Sequence, residues 1–149
     1  MTIPTNFQPD LAEIRAFGHK NALLHLGIEI VRFDADAAVL TMPVSERTRQ
    51  PLGLFHGGMS LVLAESAASL HACWGLNLTR FMPVGIEING SHLNSARDGN
   101  VRATARVLRR GRSTIVHNVD IHHVESGTLL CVSRVTNFFK PVAETAPTG

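Results

Sequence analysis

The sequence predicts an α+β fold in which one long helix is wrapped by a sheet of five or six mostly antiparallel strands. Three observations carry that prediction. Residues 59–75, MSLVLAESAASLHACWG, are apolar or small on every side, as in a helix buried all round. Four strand-like runs follow, separated by glycine-bearing turns. Helix and strands also fail to alternate, so the chain does not read as βαβ units. A single sheet can bury such a helix only by curling round it.

Before the helix, in residues 9–25, the apolar Leu11, Ile14, Phe17, Leu23 and Leu24 suggest one or two short helices broken near Gly18. Residues 27–33 (GIEIVRF) alternate, with Ile28, Ile30 and Arg32 on one face and Glu29, Val31 and Phe33 on the other. Residues 37–44 (AAVLTMPV) form the second arm of a hairpin turning at Asp34-Ala35-Asp36. A polar loop from Ser45 to Gln50 then leads to His56-Gly57-Gly58. The helix has a glycine stop at Gly75 and a length of about 25 Å. Its alanines and serines let other backbones approach closely. The later strands are 83–93, 101–108, 114–124 and 128–139, turning at Asp98-Gly99-Asn100, Arg110-Gly111-Arg112 and Ser126-Gly127. In residues 101–108, Val101, Ala103, Ala105 and Val107 alternate with Arg102, Thr104, Arg106 and Leu108, so one face is largely wet.

The chain has 149 residues, 44% hydrophobic and 17% charged, which fits one domain over 1–149 with a frayed tail at 140–149. No stretch reaches the roughly 18 apolar residues of a membrane span. The first residues lack the order of a signal peptide, so a cytoplasmic location is expected. Cys73 and Cys131 lack metal-ligand spacing and read as core residues. A net charge of +2, with no tyrosine and no aromatics among the arginines, fits nucleic acid poorly.

Glu65 stands alone as a carboxylate in the apolar helix. It must find a partner, raise its pKa or face a cavity. An ordinary structural glutamate, paired with an arginine or capped by a serine, is the competing explanation. His56-Gly57-Gly58 shifts the balance, because it opens the helix where backbone N–H groups lack partners and the dipole is positive. Adjacent glycines let a carbonyl approach those groups, which would polarise it and stabilise a developing oxyanion. Gly57 and Glu65 are separated by about 12 Å along one helix, too far to act on one carbon. Either they serve different sites, or two chains related by a two-fold axis share one site.

The run TMPVSERTRQPLGLFHGGMSLVLAESAAS, followed by VGIEINGSHLNSAR and LCVSRVTNFF, resembles the hotdog-fold acyl-CoA thioesterases. More narrowly, it resembles the bacterial 4-hydroxybenzoyl-CoA and 1,4-dihydroxy-2-naphthoyl-CoA thioesterase branch. The resemblance implies a hotdog fold and hydrolysis of an acyl- or aroyl-CoA thioester. Glu65 aligns with the nucleophile or general base, and Gly57 with the glycine whose N–H polarises the thioester. Gln50 and His56 match groups that orient the thioester, and Ser69 a hydroxyl one turn beyond the carboxylate. The resemblance further implies that Glu65 faces the Gly57 end of a partner subunit. It implies a homodimer at least, typically a homotetramer built as a dimer of dimers. Coenzyme A is then part of the substrate and no separate cofactor is expected; an acyl carrier protein is the alternative thiol carrier.

Arg102, Arg106, Arg109, Arg110 and Arg112 are either the wet face of a strand or a site for the phosphates of coenzyme A. The resemblance places the turn Gly111-Arg112-Ser113 and the stretch His92 to Arg97 around the pantetheine arm and nucleotide, and within them it favours Arg112, Ser113, His92 and Arg97. His122 and His123 are neighbours on a strand, so they point to opposite faces and cannot share a metal. His71 reads as a core or interface residue, and His117 and Asp120 as strand residues of no special role. No metal site is expected. Two rival functions remain at this stage: a hotdog hydratase or dehydratase that leaves the thioester whole, and a non-catalytic acyl-CoA binding module. The acyl group is not read from these residues, and walls such as Phe55, Met59, Leu61 and Trp74 suit aryl and fatty groups alike.

Overall fold

A computed structural model describes residues 5–16 and 21–143. The expected break near Gly18 and the last six tail residues lie outside the described residues; Lys140 and Pro141 end the final strand. Two short helices, α1 (Leu11–Ala16) and α2 (Ala22–Leu26), precede β1 (Glu29–Phe33) and β2 (Ala38–Pro43). The long helix α3 (Gly57–Ala72) comes next, then β3 (Phe81–His92), β4 (Asn100–Arg110), β5 (Thr114–His123) and β6 (Leu129–Pro141). All strand pairs are antiparallel, in the order β1-β2-β4-β5-β6-β3. The sheet therefore has two open edges, β1 and β3, and β2, β3, β4, β5 and β6 all touch α3.

Small residues set how near helix and sheet come. Ala64, Ala67 and Ala68 on α3 are fully buried, as are Ala103 and Ala105 on β4. Leu63, Leu40, Val119 and Val135 belong to the same buried cluster and pack around them. Arg102 and Arg106, on the other face of β4, are exposed. The expected alternation in β1 is interrupted. A register shift between Ile30 and Arg32 turns Phe33 inward, leaving it 6% exposed although Ile28 is also buried.

The helix is not buried all round within one chain. Ser60, Leu63, Ala64, Ala67, Ala68, His71 and Ala72 form its buried stripe, while Leu61, Val62, Glu65, Ser66 and Ser69 are half-buried. Their side lies toward β3, whose residues are largely exposed at the open sheet edge. The even apolarity of the sequence reflects a second face that one chain leaves partly uncovered. The last helical residue is Ala72 rather than a residue at the Gly75 stop. There Arg110 donates to the Trp74 carbonyl at 2.9 Å and, at the long distance of 3.4 Å, to Ala72, placing a cation at the negative end of the helix.

Candidate active site

The start of α3 is held by its neighbours. Fully buried Thr48 donates from Oγ1 to the Pro43 carbonyl at 2.7 Å and accepts from the Ser45 N–H at 2.8 Å. The His56 N–H reaches the Thr48 carbonyl at 2.9 Å, and Phe55 N–H reaches Ala96 at 2.8 Å. His56 has extended backbone and is the N-cap, its Nδ1 accepting from the Gly58 N–H at 2.9 Å. With Nδ1 accepting, the neutral ring carries its proton on Nε2, where it can donate outward. The Gly57 N–H makes no hydrogen bond among the described residues. One helix-start donor is thus capped and the next one is left open.

That open donor borders a cavity of about 250 Å³ lined by Gln50, Phe55, Gly57, Ser60, His92, Asn94 and Ser95, among others. His92 stacks so closely over Gly57 that a Cβ there would come within 2.9 Å of its Nε2. Any larger residue would push His92 away or close the approach to the N–H. The Gln50 side-chain oxygen accepts from the Leu52 N–H, which orients the amide within its own loop. Sequence reasoning singled out Gln50, Gly57 and the stretch from His92 to Arg97, which holds Asn94 and Ser95, but missed Ser60. The signal for Ser60 was its place two residues after Gly58.

Glu65 sits two turns further along and has different neighbours. It forms no ion pair among the described residues, so the arginine-paired alternative falls. Its Oε1 accepts from Ser69 Oγ at 3.4 Å, a long contact across one helix turn. The carboxylate lies directly against the backbone of Gly85 on β3, where any Cβ would overlap Oε1. A register shift between Gly85 and Glu87 bends β3 at that point. Ser69 in turn accepts from Asn137 Nδ2 of β6 at 2.8 Å. Cys73, one turn past Ser69, is pushed up to about 11 by burial, so its thiol stays protonated and is no nucleophile near pH 7. The described residues therefore gather in two clusters, Gln50–Gly57–His92 and Glu65–Ser69–Asn137, at different heights on one helix.

Residues 52–131 match the family model described as Thioesterase superfamily. The chain belongs to the thioesterase superfamily. This thioesterase is 40% identical over 126 residues to the 1,4-dihydroxy-2-naphthoyl-CoA hydrolase of Escherichia coli, covering 85% of this chain and 91% of that one. Its fold matches the crystal structure of a mutant thioesterase from Pseudomonas aeruginosa with a TM-score of 0.85 at 36% identity, over 90% of this chain and 96% of that one. A thioesterase from Staphylococcus aureus is 37% identical and has been solved in two mutant forms, with TM-scores of 0.79 and 0.77. These cover 82% and 80% of this chain and 100% and 98% of those chains. One form carries a glutamate changed to alanine and the other a glutamine changed to alanine, fifteen positions apart. With these relatives, the six-stranded antiparallel sheet and its single long helix are a hotdog fold.

Other predicted residues of the thioesterase do not gather in one chain. His92 and Arg97 lie near the α3 N-terminus, where the Arg97 carbonyl accepts from Arg49 at 2.8 Å. Arg112 and Ser113 form the β4–β5 turn beside the other end, with the Ser113 carbonyl accepting from the Phe139 N–H at 2.8 Å. The 16 residues of α3, about 24 Å, separate the two pairs. Arg110 is committed to the helix end and to the Phe139 ring, 5.4 Å from its guanidinium carbon.

His117 is a correction, being fully buried and joined to His71 rather than an incidental strand residue. The His71 Nε2 meets the Asp34 carbonyl at 3.0 Å and must carry the proton there, so its Nδ1 accepts from His117 Nε2 at 2.9 Å. His117 Nδ1 is left without a partner among the described residues. Burial, then the His71 ring and Arg110, pull His117 down to about 3. Burial also lowers His71, against the raising effect of the Asp34 carbonyl bond. Among the described residues there is no cluster of three metal-binding side chains, and no helix is long and apolar enough to cross a membrane.

Proposed function

We propose that this thioesterase hydrolyses an acyl- or aroyl-CoA ester to the free acid and coenzyme A, using Glu65 of one subunit and the Gly57 N–H of another. The observation that carries this reading is the open Gly57 N–H beside a cavity, on the helix that also holds, two turns away, a glutamate with no ion pair among the described residues. The carbonyl oxygen accepts from that N–H as negative charge develops on it. Glu65 either attacks the carbonyl carbon, expelling the thiolate and leaving an anhydride for water to cleave, or takes a proton from the attacking water. Gln50 and His56 orient the thioester, and Ser69 holds the carboxylate. The paired mutations in the S. aureus relative support the assignment, since Gln50 and Glu65 are also fifteen positions apart.

The open β3 edge is the proposed dimer seam. Met82 and Ile86 on that edge are 51% and 58% exposed, and the half-buried side of α3 lies beside it. Antiparallel pairing of two β3 strands runs the two helices in opposite directions, so the Gly57 end of one nears the Arg112–Ser113 end of the other. We therefore assign His92 and Arg97 of one subunit, with Arg112 and Ser113 of its partner, to the pantetheine arm and nucleotide. Two such dimers form the proposed tetramer. Both cysteines are free thiols, which suits the reducing cytoplasm we take as its location.

The test is Glu65→Gln, followed as thiol release from a panel of acyl- and aroyl-CoA esters, with 1,4-dihydroxy-2-naphthoyl-CoA included because of the E. coli relative. Turnover should fall about 100-fold or more with folding intact. A variant within twofold of wild type overturns the assignment.

A further inference from the structure

We propose that Asn137 is a positioning residue for the reaction, acting through Ser69 to aim the Glu65 carboxylate. The inference rests on the assignment of Glu65 to the chemistry.

In β6 the inward-facing positions are Cys131, Ser133, Val135, Asn137 and Phe139, all buried. Asn137 thus places an amide in a row where its immediate inward neighbours are apolar. It pairs across the sheet with Gly85, the residue against which the Glu65 carboxylate rests. The side chain is 0% exposed, and only one end of its amide is satisfied: Nδ2 donates to Ser69 Oγ at 2.8 Å, while Oδ1 has no partner among the described residues. A fully buried, half-satisfied amide costs stability, because the orphaned oxygen has given up its water for nothing. An apolar residue there would avoid that cost.

The gain is visible in the helix itself. Ser66 turns its hydroxyl back to the Val62 carbonyl at 2.7 Å, the usual resort of a serine inside a helix. Ser69 makes no such bond. Its oxygen already accepts from Asn137, and its proton points to Glu65 Oε1. The opposite amide orientation would place the Asn137 oxygen on Ser69 and draw the hydroxyl proton away from Glu65. The contact of 3.4 Å is long, as catalytic hydrogen bonds commonly are before substrate binds. Asn137, Ser69 and Glu65 therefore form a directed chain from the sheet to the carboxylate, while Gly85 leaves room for it.

The experiment is a double-mutant cycle on the full oligomer, with kcat, KM and Tm measured for Asn137→Ala, Ser69→Ala and the pair, beside Glu65→Gln. Asn137→Ala should lower kcat about tenfold with KM within twofold, since small misplacement of a reacting group costs rate rather than binding. In the Ser69→Ala background the same change should cost less than twofold. Asn137→Ser, which opens a smaller cavity, carries the same expectation if the alanine variant does not fold. Two results overturn the proposal: an unchanged kcat in Asn137→Ala, or an equal loss with and without Ser69. If Glu65→Gln is inactive while Asn137→Ala keeps full kcat, only the positioning role fails. If Glu65→Gln is active, the assignment beneath it fails.

Discussion

Glu65 and Gly57 could be picked out from the sequence because each breaks a local pattern. A carboxylate among apolar residues and two glycines at a helix start are costly unless something uses them. Asn137 gave no such sign. Its partner Ser69 lies 68 positions away, and only the alternation of β6 hints that it faces inward. Gly85 was hidden for a similar reason, since a glycine in a strand reads as a bulge or a weak spot until the group packed against it is known. That packing gives a residue-scale prediction. In Gly85→Ala the new Cβ occupies the place of Glu65 Oε1, so the carboxylate must move. Steady-state kinetics should show kcat about tenfold lower, with a melting temperature within a few degrees of wild type, because a strand position tolerates alanine.

At the scale of elements, the strands were legible because a period of two is a local property, and the long helix because an apolar run of small residues closed by Gly75 is local too. The bulge in β1 was not, because an extra residue shows only against the partner strand. The His71–His117 pair was equally invisible, since it joins α3 to β5 across 46 positions. The two rings are neutral in the fold and their affinities for protons are lowered by burial. Below the ordinary histidine value of about 6.5 the unfolded chain binds protons that the folded chain refuses. Their contribution to stability is therefore complete above pH 6.5 and is lost as the pH falls toward 3. Denaturant unfolding at a series of pH values should show this decline, and His117→Phe should make it shallower.

For the whole molecule, the sequence separation of Gly57 and Glu65 left two choices, separate sites or one site shared between chains, and the fold is compatible with sharing. One unbroken helix holds both, and an open β3 edge lies on the side Glu65 faces. The even apolarity of α3 concealed that this side is only half-buried in one chain, because a sequence does not distinguish a core from an interface. The central claim is that each active site takes Glu65 from one subunit and the Gln50–Gly57 end from another. Mixed oligomers of Glu65→Gln and Gln50→Ala test it directly. Each parent should be nearly inactive. In a dimer containing one chain of each, one site carries both changes and the other carries neither. Random mixing should then restore about a quarter of wild-type thiol release, as two-fold symmetry requires. Activity no higher than that of the better parent, with mixed oligomers shown to be present, would contradict the shared site.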